Sequence, residues 1–432
     1  MTPLDFNWPD AAGEVVRVAR GRLAVAGESL RRVPFEQRLQ RVASVIDSWS
    51  RVDSPWRREL SSQLAAQSTL DAQTLDEGLE SALRAWHRDR FVACARREIA
   101  AATQSDWLAL APFACTSVLA GGSIPMPTLL SGLLPLVLGS PVLLRETSQD
   151  PVTASLLARS IADCDEALAR CLEVVRFPVE DASAMEAFLQ SPCVVATGSD
   201  QTLSAIRSRL APGQRFVAYG HRFSIGVLGP NAAQDEANLD RTAAGLALDL
   251  ARWDQTGCLS PVVVYLVGLT APERFQIAKR VADRLEGLSV SRPRGDVSAS
   301  TLATHAAERA EARMRAAVDE DASIFEGADF AVVLEADARP RPAPLARFLR
   351  LLPVASIEEL DRALAPFSAH LSNAAVAGFD SDELATLHER LTQTGVNRIT
   401  KPGLLQTPPI DWPHDGMPLF LPMARFAGRD RP

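Results

Sequence analysis

The chain has 432 residues, of which 47% are hydrophobic and 23% charged, enough for two or three domains and too apolar for a disordered protein. A net charge of −8, with arginines scattered among acids, excludes nucleic acid as the main partner, because that affinity calls for a basic surface. Six cysteines and six histidines fall into no metal-ligand spacing, so no metal site is expected.

In chain order, the opening MTPLDFNWPDAAGEVVRV carries acids and a proline where a secretory leader needs an apolar core, so no leader is expected. With neither a leader nor a membrane span expected, the expected setting is cytoplasmic, where the cysteines stay free thiols. Residues 14–105 repeat apolar side chains every three or four positions, as in PFEQRLQRVASVIDSWSRV, and predict amphipathic helices. The longest apolar stretch, MPTLLSGLLPLVLGSPVLL, is broken by three prolines and two glycines and ends in a strand-like piece, which argues against a membrane span.

Beyond about 108 the texture changes. PVLLRE (141–146), LEVVRFP (172–178), CVVATG (193–198) and RFVAYG (215–220) read as short strands, and the segments between them as helices opening at or near an Asp. Strands separated by crossover helices predict a parallel sheet covered on both faces, a dinucleotide-type fold. A second alternation follows, through CLSPVVVYLVG, a helix from TAPERF, a charged helix near 300–320, ADFAVVLEA and FLRLLPVASIEELDRAL, and predicts another α/β domain. RPRPAP at 339–344 reads as a loop, and the Pro- and Gly-rich tail as irregular, packing on the body of the protein or on a neighbouring subunit.

Four stretches carry candidate chemistry. In ATGSDQTLSAIR a strand gives way through Thr-Gly-Ser to a helix whose N-terminus suits a phosphate, with Gly198 letting the backbone approach and Ser199 donating; by itself the motif is explained better by an ordinary capped turn. AGGSIPMP forms a tight loop before an apolar helix, and YGHR places His221 and Arg222 just past a strand. DQTGCLSP sets Cys258 among polar neighbours at the mouth of an apolar strand, the setting of a nucleophile rather than of a core thiol.

Taken together, GSIP, TGS, YGHR and DQTGC resemble, in order and spacing, the aldehyde dehydrogenase superfamily. The DQxxCxSP form and the tail R…PG…PP…W…HDG are more closely similar to the acyl-CoA reductase (LuxC-type fatty acid reductase) family, over about residues 40–430. The resemblance implies an aldehyde-dehydrogenase-like α/β fold. Residues 1–105 would be the helical N-terminal part of the cofactor domain and 106–222 its Rossmann-like core. Residues 223–395 would be a catalytic α/β domain and 396–432 the tail.

It implies NADPH-dependent reduction of an acyl-CoA or acyl-carrier-protein thioester to the aldehyde, with NADH as the other nicotinamide choice. An acyl-activating partner enzyme and a homo-oligomer are implied too. Cys258 would take the acyl group, with Asp254 and Gln255 shaping its turn. Ser123 stands two residues before Pro125, where the superfamily has an oxyanion-binding Asn. Thr197, Gly198, Ser199 and Gly220 would meet the cofactor. Arg145, where a ribose-binding lysine is usual, would favour the 2′-phosphate of NADPH. Ala218 falls where hydrolytic members carry a general-base Glu, which leaves hydride or a thiol as the acceptor of the acyl group. His221, Arg222 and His414 are polar candidates without a role. Transfer of the acyl group without reduction and a non-catalytic scaffold stay open as alternatives.

Overall fold

A computed structural model of the chain describes residues 13–104 and 107–430, so the opening read for a leader lies, through residue 12, outside the described residues. The chain forms two compact units. The first takes the residues up to Ser68, Ala82–His221 and Pro409 onward; the second takes Thr69–Ser81 and Arg222–Pro408.

In the first unit a short strand β1 (Leu108–Leu110) pairs antiparallel with Phe426–Gly428 of the tail. The main sheet comprises β2 (Thr116–Leu119), β3 (Val142–Arg145), β4 (Leu172–Val175), β5 (Cys193–Thr197) and β6 (Arg215–Tyr219). All are parallel, in the order β4-β3-β2-β5-β6. The chain runs outward from β2 to one edge and returns to β5 on its other side, which makes the β2/β5 boundary the topological switch point. Both faces of this sheet are covered: β2 and β3 are buried at every position.

The first helix owes its periodicity to the core of this unit. Gly13–Arg32 turns Val16, Ala19 and Leu23 onto Ala184, Ala187 and Phe188 of the crossover helix Ala182–Leu189. The apolar helix Pro125–Leu138 is buried nearly all round and stops at Gly139, whose φ of 87° ends it in a left-handed cap. Among the described residues no helix is long and apolar enough to cross a membrane. The end of the tail is tied by Glu98, whose carboxylate accepts the backbone N–H groups of Leu419 (2.9 Å), Phe420 (2.7 Å) and Leu421 (3.1 Å).

The second unit holds a seven-stranded sheet. Its strands are β7 (Phe223–Leu228), β8 (Pro261–Val267), β9 (Ser323–Glu326), β10 (Ala331–Leu334), β11 (Phe348–Val354), β12 (Leu371–Ala377) and β13 (Arg398–Thr400). They lie in the order β13-β12-β7-β8-β11-β10-β9, parallel except for the edge strand β9. Glu236–Ala251 and Ala271–Ser291 cover one face, and Ile357–Leu364 and Ser381–Gln393 the other.

The tail differs from the irregular segment expected. It supplies β13 to this sheet and Phe426–Gly428 to β1, because even a Pro-rich chain can offer three consecutive residues with pairing N–H groups. The 339–344 segment is a loop, fixed by Arg350 of β11, whose Nε donates to the Pro342 carbonyl at 2.8 Å.

Candidate active site

The helix Glu236–Ala251 runs into a turn that does most to define the site. Trp253, Asp254 and Gln255 have φ of 56°, 47° and 63°, three consecutive non-glycine residues in the left-handed region. Each costs roughly 1–2 kcal/mol relative to ordinary backbone, so the turn exists only because its side chains are held from outside. Asp254 Oδ1 accepts from Arg347 Nε at 2.8 Å, and its Oδ2 accepts the N–H of Gly295 at 2.9 Å. Burial pushes the Asp254 carboxyl above its ordinary range, and the Arg347 guanidinium pulls it back. Gln255 acts as a piece of strand. Its amide N–H groups donate to the carbonyls of Pro261 (2.8 Å) and Phe348 (3.0 Å), and its carbonyl accepts from the Phe348 N–H (2.9 Å). The Trp253 indole lies against Gly78, where a Cβ would fall 2.8 Å from the ring.

Cys258 follows three residues later, half-buried, just before β8. Ser224 Oγ donates to the Cys258 carbonyl at 2.8 Å and accepts from the Asn373 N–H at 3.2 Å. Gln406 Nε2 donates to Ser260 Oγ at 2.6 Å. The thiol thus sits on a turn pinned at both ends. Four other cysteines, 94, 115, 171 and 193, are buried, and burial pushes their thiols up, to about 12 at Cys94, about 11 at Cys171 and about 12 at Cys193. None of the six is in a disulfide. Cys258 stands at the N-terminal end of its strand, whereas open parallel sheets usually present ligands at the C-terminal end.

In the first unit the motifs gather where the switch point predicts. The Gly121–Ser123 loop leaves β2 and the Thr197–Ser199 turn leaves β5, and a Cβ on Gly121 would lie 2.3 Å from the Thr197 carbonyl oxygen. Gly122 takes φ of 80°. Ser123 is half-buried in the bend ahead of Pro125, where Ile124 occupies the N-cap position and offers no side-chain cap. Thr197 and Gly198 are half-buried, and the Gly198 N–H donates to the Tyr219 carbonyl at 3.1 Å. A Cβ on Gly198 would meet only ordinary van der Waals neighbours at 3.5 Å, so the fold alone does not demand glycine there.

Ser199, not Asp200, caps the helix Asp200–Arg207, accepting the Thr202 N–H at 3.2 Å. Asp200 accepts the His221 N–H at 3.2 Å, and its carboxylate lies 2.8 Å from where a Cβ on Gly220 would be. These glycines, the serine hydroxyl and the positive end of the helix suit a pyrophosphate. Arg145 ends β3 at the same edge of the sheet, but it is buried with Nε and Nη2 donating to the Phe177 carbonyl at 3.1 and 2.8 Å. Burial lowers its pKa. Tyr219 stacks on His414, centroids 4.7 Å apart, with Trp412 edge-on to the same imidazole. Ala218 lies in β6 opposite Ala196. In the second unit Arg222 donates to the Ala369 carbonyl. Among the described residues no group of side chains could hold a metal.

Sequence reasoning did not find Arg347, Ser224, Gln406 or the Asp200 link. Only the charge of Arg350 inside FLRLLPV signalled that polar side chains are buried around β11.

Solved structures place this architecture. A Delta-pyrroline-5-carboxylate dehydrogenase from Mycobacterium tuberculosis superposes with a TM-score of 0.70 at 14% identity, over 96% of this chain and 83% of that one. An NADP-dependent glyceraldehyde-3-phosphate dehydrogenase from Bacillus halodurans C-125, complexed with NADP, gives 0.72 at 13%, over 96% and 90%. The fold is that of the aldehyde dehydrogenases, here carrying a cysteine on a braced turn. The model of the family Acyl-CoA reductase (LuxC) matches residues 30–426, and the chain belongs to that family. Among its relatives, the long-chain acyl-protein thioester reductase of Aliivibrio fischeri is 21% identical over 326 residues, and that of Photorhabdus laumondii 22% over 326. Each match covers 73% of this chain but only 63% of the relative's length.

Proposed function

We propose that this chain reduces an acyl thioester to an aldehyde through a thioacyl intermediate on Cys258, using a nicotinamide cofactor. The observation that carries the reading is the half-exposed Cys258 three residues past a left-handed turn braced by buried polar groups, while four other thiols are core residues and Cys164 lies exposed at the end of the helix Thr153–Cys164. Membership of the acyl-CoA reductase family supports it, and relatives described as acyl-protein thioester reductases favour a protein-borne thioester over free acyl-CoA.

In this reading the Cys258 thiolate attacks the thioester carbonyl, a C–S bond forms, and the departing thiolate takes a proton. The Cys258 backbone N–H and the Ser123 hydroxyl are the proposed oxyanion donors. Thr197, Gly198, Ser199 and Gly220, with the N-terminus of Asp200–Arg207, hold the cofactor's pyrophosphate. When bound, the cofactor supplies the hydride that reduces the thioacyl carbonyl. The resulting thiohemiacetal releases aldehyde as the C–S bond breaks and Cys258 regains its proton. Ala218 offers no base to activate water, which protects the thioacyl group from hydrolysis. Six thiols without a disulfide fit a cytoplasmic setting.

NADPH is the proposed reductant through Arg145, although a 2′-phosphate must draw that guanidinium from the Phe177 carbonyl. Incubation with an acylated carrier protein or acyl-CoA, and NADPH or NADH, tests the reaction. Aldehyde formed one-for-one with oxidised cofactor is expected, faster with NADPH. Cofactor oxidation without aldehyde, or release of free acid instead, contradicts the reading.

A further inference from the structure

We propose that Arg347 is a positioning residue for Cys258, acting through Asp254; this rests on the reading of Cys258 as the nucleophile. Seven non-glycine residues among those described have positive φ, and six of them fall in two runs of three, Trp253–Asp254–Gln255 and Leu345–Ala346–Arg347. The two runs are tied to each other twice. Arg347 meets Asp254 Oδ1 through Nε at 2.8 Å and Nη2 at 2.7 Å, and Gln255 bonds both backbone groups of Phe348, the residue after Arg347. Each left-handed run thereby holds the other.

Arg347 is wholly buried: its Nη1 donates to the Arg292 carbonyl at 2.8 Å and to Asp329 Oδ2 at 3.0 Å, and its Nη2 meets Asp254 as an ion pair without the geometry of a hydrogen bond. Asp254 is in turn fixed by the Gly295 N–H. A buried ion pair is a poor source of stability, because desolvation offsets the attraction and an apolar pair of the same volume does as well. What a planar guanidinium supplies that an apolar contact does not is direction, and here that direction is imposed on a turn ending three residues before the thiol. A small displacement of a nucleophile is enough to cost on the order of 10²-fold in rate.

Three variants of the full chain test this: Arg347→Lys, Arg347→Met, and Arg347→Met combined with Asp254→Asn. The readouts are the rate of acylation of Cys258 by an acyl thioester (intact mass), KM and kcat for reduction, and the melting temperature. Arg347→Met alone strands a buried carboxylate and should lower both melting temperature and acylation. The double variant removes both charges of the Arg347–Asp254 pair, and Asp329 keeps its bonds from Ser289 and the Arg294 N–H, so it should recover part of the melting temperature while its acylation stays about 10²-fold slow, with KM changed less than about threefold. Arg347→Lys should recover part of the rate. A double variant that acylates at the wild-type rate overturns the proposal, as does loss of folding in all three, which would make the pair purely structural. Failure of the wild-type chain itself to acylate at Cys258 overturns instead the reading on which the proposal rests, and the proposal falls with it.

Discussion

The turn in front of β8 and the turn behind β5 are built on opposite plans. Around Cys258 the backbone is strained and its neighbours compensate: a buried Arg347–Asp254 pair, the three hydrogen bonds of Gln255, Ser224 on the Cys258 carbonyl and Gln406 on Ser260. Around Thr197–Ser199 the backbone is relaxed, one serine caps the helix, and Gly198 leaves space that packing does not use. In the proposed reading, a nucleophile acts by its own aim and needs the fold to fix it in advance, whereas a phosphate-binding turn can finish its order when the ligand arrives. The contrast says which region should resist substitution and which should tolerate it.

The largest effect is expected behind the Cys258 turn, at Asp249. It accepts the N–H groups of Gly403 (2.6 Å) and Leu405 (3.0 Å), while Gln406 reaches Ser260. Burial pushes its pKa from 3.8 up to about 7. A carboxyl raised in the folded state stabilises fully below its unfolded pKa and loses that contribution as pH rises through the folded one, here between about pH 4 and 7. On the order of 4 kcal/mol is at stake. Denaturation midpoints should fall from pH 5 to pH 8, and Asp249→Asn should flatten that slope; an unchanged slope would separate Asp249 from the bracing.

Next comes Gln255→Leu, which leaves buried backbone groups of Pro261 and Phe348 without a partner and should cost about 3 kcal/mol in urea unfolding. A cost below about 1 kcal/mol would show the left-handed turn to be self-sufficient. Gly121→Ala forces a methyl against the Thr197 carbonyl and should cost about 2 kcal/mol. Ser199→Ala removes a helix cap for about 1 kcal/mol. Smallest is Gly198→Ala, expected to shift stability by less than about 0.5 kcal/mol while weakening nicotinamide binding, measured by titration. A destabilised Gly198→Ala protein with unchanged cofactor affinity would erase the distinction between the two turns.

The same contrast governs what could be read from the sequence. Parallel strands buried on both faces appear as largely apolar runs, so β3 to β6 and the crossovers between them were legible, whereas β2, which opens with Thr116 and Ser117, lacks such a run. The glycines and serines of GGS and TGS marked their turns because glycine signals close backbone approach. The bracing of Cys258 was not legible. Leu345–Ala346–Arg347 adopts the left-handed region without a glycine or asparagine to announce it. Arg347 lies 93 residues from its partner Asp254, and Gln406 lies 146 from Ser260. No local pattern encodes pairings at that range. Asp commonly caps helices, but at Asp200–Arg207 the cap is Ser199, which has the extended backbone that a cap requires. The placement of Cys258 at the N-terminal end of its strand likewise runs against the usual rule for open sheets.

The central claim is that Cys258 is the acyl acceptor. Its most direct test is the intact mass of the purified chain after incubation with a long-chain acyl thioester and no cofactor, with Cys258→Ala in parallel. The account predicts a mass gain of one acyl group on the wild type, absent from Cys258→Ala and lost with release of aldehyde when NADPH is added. An adduct of the same size on Cys258→Ala would contradict it.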